Sequence, residues 1–180
     1  MEIYVMRHGT TVWNEKGITQ GRTNNRLSKN GISLTKQVSK QYKNTKFDLI
    51  VCSPLMRTVQ TANLMNYYHN VKILKDVLLI EIDQGIFTGR HKDSLSKQEF
   101  ELKNQRSKKC GMESYQQIFD RTKQFVKDLK DKYGDKTVLI VTHNCNATMI
   151  EDILLKKPVN FADKTFLRNF ANDEVKKFEI

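Results

Sequence analysis

A short stretch near the N-terminus, residues 3–9 with the sequence IYVMRHG, decides the fold. Its first four residues are apolar and lack strict alternation, as expected for a strand covered on both faces. Two runs of the same kind, Phe47–Cys52 and Thr137–Thr142, follow later in the chain. A segment with helical signals comes after each of the three runs. The sequence therefore predicts central parallel strands that alternate with helices.

The clearest helical signals are at the N-termini of two segments. Ser53 as N-cap with Pro54 at the first helical position predicts a helix that runs to about Tyr68. Ser114 as N-cap predicts another, which ends at Gly134. Weaker patterns predict two more helices, over 28–42 and 146–155, and two more strands, over 71–74 and 174–180, the last at a sheet edge.

The length of the chain limits its domain organisation. It has 180 residues, of which 38% are hydrophobic, enough for one sizeable core. We predict a single domain over residues 1–180 with an α/β fold, a three-layer sandwich whose mostly parallel central sheet has helices on both faces. Residues from about 81 to 111 are polar, contain several glycines and fit neither pattern. They predict a small lid-like excursion over the site.

The charge balance favours anionic ligands without naming one. Lys and Arg exceed Asp and Glu by 31 to 20, a net charge of +11 with His neutral. Such a surface attracts small anions and, weakly, nucleic acid. Many lysines recur at intervals along the predicted helices, which is typical of a solvated face. We therefore expect no specific nucleic-acid partner.

Cysteine spacing and hydropathy indicate where such a chain would function. The three cysteines are widely separated and form no Cys-x-x-Cys pair, so neither a disulfide framework nor a metal site is expected. The N-terminal apolar stretch is too short for a signal peptide or a membrane span. These features predict a cytoplasmic protein with no membrane association.

Polar side chains follow three of the predicted strands. Arg7 and His8 follow the first, Arg57 lies just beyond the second, and His143 follows the third. Because the carboxyl ends of parallel strands meet at one edge of a sheet, these side chains are expected to converge. Singly, Arg57 is compatible with a helix surface and His143 with a hydrogen-bonded strand end. Their joint placement, beside a tight turn at Gly9, favours an oxyanion site.

The stretch 7–14, RHGTTVWN, resembles the signature of the histidine phosphatase superfamily, the phosphoglycerate mutase-like group. The resemblance extends over most of the chain. It implies a histidine acid phosphatase-like phosphomonoester hydrolase that forms a phosphohistidine and needs no metal or other cofactor. Similar blocks follow in the same order at Gln20-Gly21, Leu27-Ser28 with Gly31, Ser53 to Ala62, Leu79 to Gly89, Glu113-Ser114 and Val138 to His143.

The resemblance also implies roles for individual catalytic residues. His8 is the nucleophile, and a neutral imidazole nitrogen attacks phosphorus. Arg7 and Arg57 bind phosphoryl oxygens, and His143 donates to another of them. Glu81 matches the general acid, which protonates the leaving group and then activates water. This role needs a protonated carboxyl beside an incoming dianion, so we expect like-charge repulsion to favour that form.

Other positions are expected on the substrate side of the site. Asn144 departs from the family pattern, which usually has glycine after the second histidine, and its side chain either crowds the site or adds a donor. Asn24, Arg26, Thr88 and Met112 are further departures, which concern substrate preference more than the catalytic step. The residues predicted to bind substrate are Thr10, Asn14, Gln20, Gly21 and Asn144.

Three alternatives stay open beside hydrolysis of a small phosphomonoester. A mutase would return the phosphoryl group to its substrate, but the resemblance implies a longer insertion after the acid than 81–111. A cysteine phosphatase is disfavoured because four residues separate Cys52 from Arg57, where that chemistry has five. The third alternative is a non-catalytic phosphate-binding regulatory module, which Asn144 keeps open.

Overall fold

A mostly parallel sheet lies at the centre of the protein. The computed structural model describes residues 1–161 and 168–180. Within these ranges the strands are β1 (Glu2–Arg7), β2 (Leu49–Cys52), β3 (Lys72–Lys75), β4 (Thr137–Thr142) and β5 (Val175–Glu179). They form one sheet in the order β3-β2-β4-β1-β5. Only β5 is antiparallel, and it pairs with β1 at the edge, as predicted for 174–180.

Helices and single 3₁₀ turns connect the strands of the described residues. The α-helices are α1 (Val12–Glu15), α2 (Lys29–Gln41), α3 (Met56–Met65), α4 (Lys97–Asn104), α5 (Tyr115–Tyr133) and α6 (Asn144–Leu154). The 3₁₀ turns are Asn66–Tyr68, Val77–Leu79, Gly85–Phe87, Lys92–Ser94 and Lys108–Cys110. No helix among the described residues is long and apolar enough to cross a membrane.

Each face of the sheet is covered by a pair of helices, which confirms the three-layer α/β sandwich. On one face, Phe125 of α5 and Ile150 of α6 pack with side chains of the central strands such as Ile140. On the other face, Met65 of α3 and Val38 of α2 pack with the alternate side chains of the same strands. Burial on both faces explains why the central strands are continuous apolar runs in the sequence.

The carboxyl ends of β1, β2 and β4 lie at the same level. Arg7 pairs with Thr142, and Cys52 pairs with Val141. The residues that immediately follow these strands therefore emerge at one edge of the sheet, as the strand order predicts.

The predicted N-cap at Ser53 is wrong. Helix α3 begins at Met56, and its N-cap is Leu55, which makes no side-chain capping bond. The Ser53 hydroxyl is instead directed at His143, 2.8 Å from its Nε2. A long-range polar contact thus replaces the local capping bond, and the turn at Pro54 precedes the helix rather than opening it.

The segment 81–111 has more regular structure than its sequence indicated. It contains 3₁₀ turns and helix α4, which begins at the N-cap Ser96 with a capping box formed with Glu99. Phe87, Cys110 and Met112 form a small buried cluster under it. Ser96 and Glu99 have the spacing of a capping box, which indicates a helix start although the segment is polar and has no clear apolar periodicity.

Gly31 allows α2 to lie directly against the turn that follows His8. A Cβ at Gly31 would lie 2.0 Å from the carbonyl oxygen of Thr10, which is backbone and cannot turn aside. We expect Gly31→Ala to lower the free energy of unfolding by about 1–3 kcal/mol, the usual cost of overpacking. Urea denaturation measures this difference.

Ser33→Ala is the matched control, because Ser33 is exposed in the same helix. It should leave the free energy of unfolding nearly unchanged. A Gly31→Ala protein as stable as Ser33→Ala would show that the contact between α2 and Thr10 is not tight.

Candidate active site

His8 directly follows β1, and its ring has a defined tautomer. Its Nδ1 lies 2.8 Å from the carbonyl oxygen of Gly9. A carbonyl oxygen only accepts, so Nδ1 carries the proton and Nε2 keeps the lone pair. Arg57 Nε donates to that Nε2 at 3.2 Å, which agrees with this assignment. The His8 side chain therefore presents a neutral nitrogen lone pair beside a guanidinium group.

Arg57 lies in the first turn of α3 and is fully buried. Its other donors go to backbone carbonyls, with Nη1 donating to Thr23 O at 2.8 Å and Nη2 to Gly21 O at 2.9 Å. Burial lowers the pKa of the guanidinium, and the nearby Glu81 opposes this shift. The carbonyl contacts orient the cation without neutralising it.

Arg7, the last residue of β1, is the second cation of the site. Its Nη1 donates to Phe170 O at 2.7 Å. Its Nε is buried and has no hydrogen-bond partner among the described residues. Burial lowers the pKa of Arg7, and the nearby Glu81 and Asp173 oppose this shift. A buried guanidinium donor without a partner is what an oxyanion site requires.

His143 follows β4 and lies opposite His8. The two ring centroids are 5.2 Å apart. His143 Nε2 lies 2.8 Å from Ser53 Oγ, and its Nδ1, buried and unpartnered among the described residues, lies 3.7 Å from Glu81 Oε2. The structure thus brings Arg7, His8, Arg57, Glu81 and His143 together, as the sequence predicts.

Both imidazoles are held in the neutral form. Burial lowers the pKa of His8 well below its ordinary value of 6.5, and Arg57 and Arg7 add to the shift. The pKa of His143 is lowered in the same way, by burial first and then by Arg57. Protonation would place further charge beside two buried cations. The site therefore has neutral nitrogen bases at neutral pH.

Burial also shifts the pKa of Glu81, but in the opposite direction. Its side chain is 15% exposed, and burial raises the pKa above the ordinary value of 4.5, while Arg57 and Arg7 oppose this. The expectation was that a dianionic ligand would favour the protonated carboxyl. The protein alone already raises the pKa, because a partly desolvated carboxylate is disfavoured.

Guanidinium groups fix the loop that carries Glu81. Arg22 Nε donates to the Glu81 carbonyl at 3.0 Å, and Arg22 Nη2 lies 3.2 Å from Glu113 Oε2. Arg121 forms a two-pronged ion pair with the same Glu113, at 2.8 and 3.1 Å. Arg106 donates to the carbonyl of Asp83. The backbone that carries the Glu81 carboxyl group is thus held in place by hydrogen bonds and ion pairs of three arginines.

Four of the predicted substrate-binding residues have an oxygen atom that accepts a hydrogen bond within the protein. Asn14 Oδ1 accepts from the Thr11 backbone at 3.1 Å and completes a capping box at the start of α1. Gln20 Oε1 accepts from Thr11 Oγ1 at 2.9 Å. Gly21 places its carbonyl against Arg57, and the carbonyl of Thr10 accepts from the backbone of Ser28 at 2.9 Å. These contacts shape the walls of the site.

Asn144 has a different environment from the other predicted substrate-binding residues. Its Oδ1 accepts from the Phe170 backbone at 2.6 Å, and its Nδ2 donates to Arg168 O at 3.4 Å. The amide therefore contacts a backbone segment near the C-terminal strand. It is next to His143 in sequence but is directed towards residues 168–170.

Arg7, His8, Arg57 and His143 are called the quartet below. Several polar groups around the quartet were not singled out from the sequence. Thr61 Oγ1 accepts from the Gly9 backbone at 2.9 Å and donates to Arg57 O at 2.8 Å, so it connects the His8 turn to α3. Asn172 Nδ2 donates to the His8 carbonyl at 2.8 Å. Thr61 lies in the block that resembles the family, which was the available signal. Asn172 gave no signal, because it contacts His8 across 164 residues.

Cys52 and Cys145 are buried thiols whose pKa values are raised. Cys52 is a buried strand-end thiol, and burial raises its pKa to about 11. Cys145 is also buried, and its pKa is raised for the same reason. A thiol with a raised pKa is a poor nucleophile at neutral pH. Within residues 1–161 and 168–180, no cluster of His, Cys, Asp or Glu could hold a metal ion.

Comparison with known proteins agrees with this geometry. The sequence profile of the histidine phosphatase superfamily (branch 1) matches residues 3–178, nearly the whole chain. The chain belongs to the histidine phosphatase superfamily. Members of this superfamily are phosphatases or mutases, and both kinds occur among the similar proteins.

Two curated superfamily members and one solved structure illustrate the range. Phosphoserine phosphatase 1 of Hydrogenobacter thermophilus is 27% identical over 149 residues, which cover 79% of this chain and 71% of that protein. Probable phosphoglycerate mutase GpmB of Shigella boydii is 27% identical over 181 residues, covering 97% and 84%. The crystal structure of the alpha-ribazole phosphatase of Shigella flexneri superposes with a TM-score of 0.87 at 22% identity, covering 100% and 91%.

Ser53 is expected to set the tautomer of His143. The Leu55 backbone donates to Ser53 Oγ at 3.4 Å, and His143 Nδ1 lies 3.7 Å from Glu81 Oε2. A hydroxyl proton directed at Nε2 and a ring proton on Nδ1, which faces the carboxyl group, suit both contacts. We expect ¹⁵N spectra to show His143 protonated at Nδ1 and to show a mixture of tautomers in Ser53→Ala. Ser39→Ala removes another buried hydroxyl, which donates to Leu64 O at 2.9 Å, and should leave the tautomer unchanged. Protonation of wild-type His143 at Nε2 would contradict this assignment.

Proposed function

We propose that the protein hydrolyses a small phosphomonoester through a phosphohistidine on His8. The observation that carries the proposal is the lone pair of His8 Nε2, which faces Arg57 in a site that also contains Arg7 and His143. A neutral nitrogen nucleophile beside buried cations suits attack on a tetrahedral dianion. Membership of the superfamily supports the same reaction class.

The first step transfers the phosphoryl group to His8. Nε2 attacks phosphorus, the N–P bond forms, and the P–O bond to the leaving group breaks. Phosphoryl oxygens accept from Arg57 Nε, which then no longer donates to the His8 lone pair, and from the unpartnered Arg7 Nε. His143 Nδ1 supplies a further donor. The donors are placed before the substrate arrives, which lowers the cost of reorganisation.

Glu81 completes both steps by moving one proton. In its protonated form, which the raised pKa favours, it gives a proton to the departing alkoxide. The resulting carboxylate accepts a proton from water, which attacks phosphorus while the N–P bond breaks. The products are an alcohol and inorganic phosphate, and His8 returns to its neutral form.

The substrate is proposed only as a class, a small phosphomonoester in the cytoplasm. The relatives named above act, by their names, on phosphoserine, on phosphoglycerate and on alpha-ribazole phosphate, and each of these is a small phosphorylated molecule. The described cysteines are free and buried, as suits a reducing compartment. The positive net charge of the chain favours the approach of anions.

A phosphoglycerate mutase is the second candidate, because one of the relatives carries that name. A mutase needs the phosphorylated enzyme to keep its phosphoryl group from water until the acceptor is in place. Incubation with a phosphoglycerate separates the two reactions. A phosphatase releases inorganic phosphate, whereas a mutase interconverts the 2- and 3-isomers.

The covalent intermediate can be trapped directly. During turnover of an aryl phosphate, rapid quenching into alkaline denaturant should preserve an acid-labile phosphoryl group on His8. Peptide mass spectrometry locates it. His8→Ala should carry no phosphoryl group and should lose turnover, because the other imidazole of the site, His143, has its Nε2 directed at Ser53 Oγ rather than at a guanidinium group.

Cys52→Ser is the control for a thiol nucleophile. It should keep both the trapped phosphohistidine and the wild-type rate, because Cys52 lies outside the quartet. A phosphoryl group found on Cys52 of the wild-type protein, or turnover that survives His8→Ala, would refute the assignment of His8 as the nucleophile. Phosphate binding without turnover or trapped phosphate would favour the regulatory module instead.

The role of Glu81 predicts a pH dependence. We expect kcat/KM for an alkyl phosphate to be level in the acid range and to fall as pH rises through the raised pKa of Glu81, because the proton donor is lost. Protonation of His8 should inhibit only well below pH 6.5, because its pKa is lowered. Glu81→Gln should reduce kcat/KM for alkyl phosphates by about 100-fold or more.

Leaving groups of different basicity provide the control. A p-nitrophenolate leaves without a proton, so Glu81→Gln should affect that substrate much less. Equal losses on alkyl and aryl phosphates, or an unchanged alkaline limb in Glu81→Gln, would exclude Glu81 as the general acid.

A further inference from the structure

Asn144 pairs with a backbone segment that the mechanism above does not use. Its Oδ1 accepts from Phe170 N at 2.6 Å, and its Nδ2 donates to Arg168 O at 3.4 Å. The side-chain amide thus bonds one backbone N–H and one backbone carbonyl, as a neighbouring strand would. The glycine usual at this position in the family pattern has no side chain and can make neither contact.

The backbone that Asn144 pairs with orients Arg7. The carbonyl of Phe170 accepts from Arg7 Nη1 at 2.7 Å, and the Phe170 ring is fully buried. On a guanidinium group, Nε and Nη2 lie on the same edge. Fixing Nη1 therefore turns that edge, including the unpartnered Nε, away from Phe170 and leaves it for an oxyanion.

Two further residues of this segment donate hydrogen bonds to the backbone carbonyls of Arg7 and His8. Asn172 Nδ2 donates to His8 O at 2.8 Å, and the backbone of Asp173 donates to Arg7 O at 3.3 Å. Those bonds position the Arg7 and His8 backbone. Within residues 168–174, the Phe170 carbonyl is the group that accepts a hydrogen bond from the Arg7 guanidinium. The Asn144 side chain in turn donates to Arg168 and accepts from Phe170.

We propose that Asn144 is a positioning residue that orients Arg7, through the Phe170 carbonyl, for the transferring phosphoryl group. The proposal rests on the proposed phosphatase function. Asn144, which replaces the usual glycine of the family pattern, would thereby contribute to phosphoryl binding. Asn144 itself need not touch the substrate.

A double-mutant cycle with Arg7 tests this proposal. Asn144→Ala is compared with wild type, and Asn144→Ala/Arg7→Ala with Arg7→Ala, by kcat/KM on an aryl phosphate and by titration with inorganic phosphate followed by ³¹P NMR. We expect Asn144→Ala alone to weaken both quantities about tenfold, within the range of coupled neighbours, and to have little effect once Arg7 is absent. Asn169→Ala, at an exposed position in the same segment, should behave as wild type.

A merely structural role would give a different pattern. Equal losses with and without Arg7, or no loss in either background, would overturn the proposal. If Asn144→Ala does not fold, Asn144→Ser replaces it, because serine suits the first turn of a helix and is too short to contact both Arg168 and Phe170. The same double-mutant cycle with Arg7→Ala is then measured for Asn144→Ser, with the same criteria.

The phosphate titration separates this proposal from the function on which it depends. It needs no turnover, so it reports on Arg7 even if no phosphohistidine forms. Wild-type turnover with an additive cycle would reject only the role of Asn144. A coupled cycle in a protein that never forms phosphohistidine would reject only the catalytic function.

Discussion

Arg57 is completely buried, and its hydrogen-bond partners are two backbone carbonyls and an imidazole rather than a carboxylate. Desolvating a cation without a paired anion is costly, and the carbonyl dipoles offset only part of that cost. The positive potential of Arg57 adds to the effect of burial on the two imidazoles. It disfavours the imidazolium forms of His8 and His143 and leaves an unmet requirement for negative charge. The proposed affinity for an oxyanion would thus originate in the folding of the protein itself.

The position of the quartet follows from topology that the sequence reveals. Apolar runs without alternation identified the central strands, and parallel pairing brings the residues after their carboxyl ends to one edge. His8, Arg57 and His143 are close for that reason, although they are distant in the chain. The three-layer architecture was predicted from the alternation of strands with helices, and the edge strand β5 from the alternating apolar residues of 174–180.

The partners that orient the quartet could not be predicted in this way. Ser53 looked like a helix cap because capping is a local pattern, whereas its bond to His143 spans 90 residues. The carbonyls of Gly21, Thr23 and Phe170 carry no side-chain signature at all. Their identity depends on loop conformation, which hydrophobic periodicity does not encode. The side chains of the candidate site were thus visible in the sequence, and the groups that orient them were not.

The contacts of residues 170–174 with β1 have a consequence for biosynthesis. Arg7 and His8 are synthesised well before the carbonyl that accepts from Arg7, which comes 163 residues later. The hydrogen bonds from Asn172 and Asp173 are made later still. A nascent chain that ends before this segment contains every side chain of the quartet and lacks the groups that align it. The alignment that the proposed phosphoryl chemistry needs is therefore reached only after residues 170–174 have been synthesised.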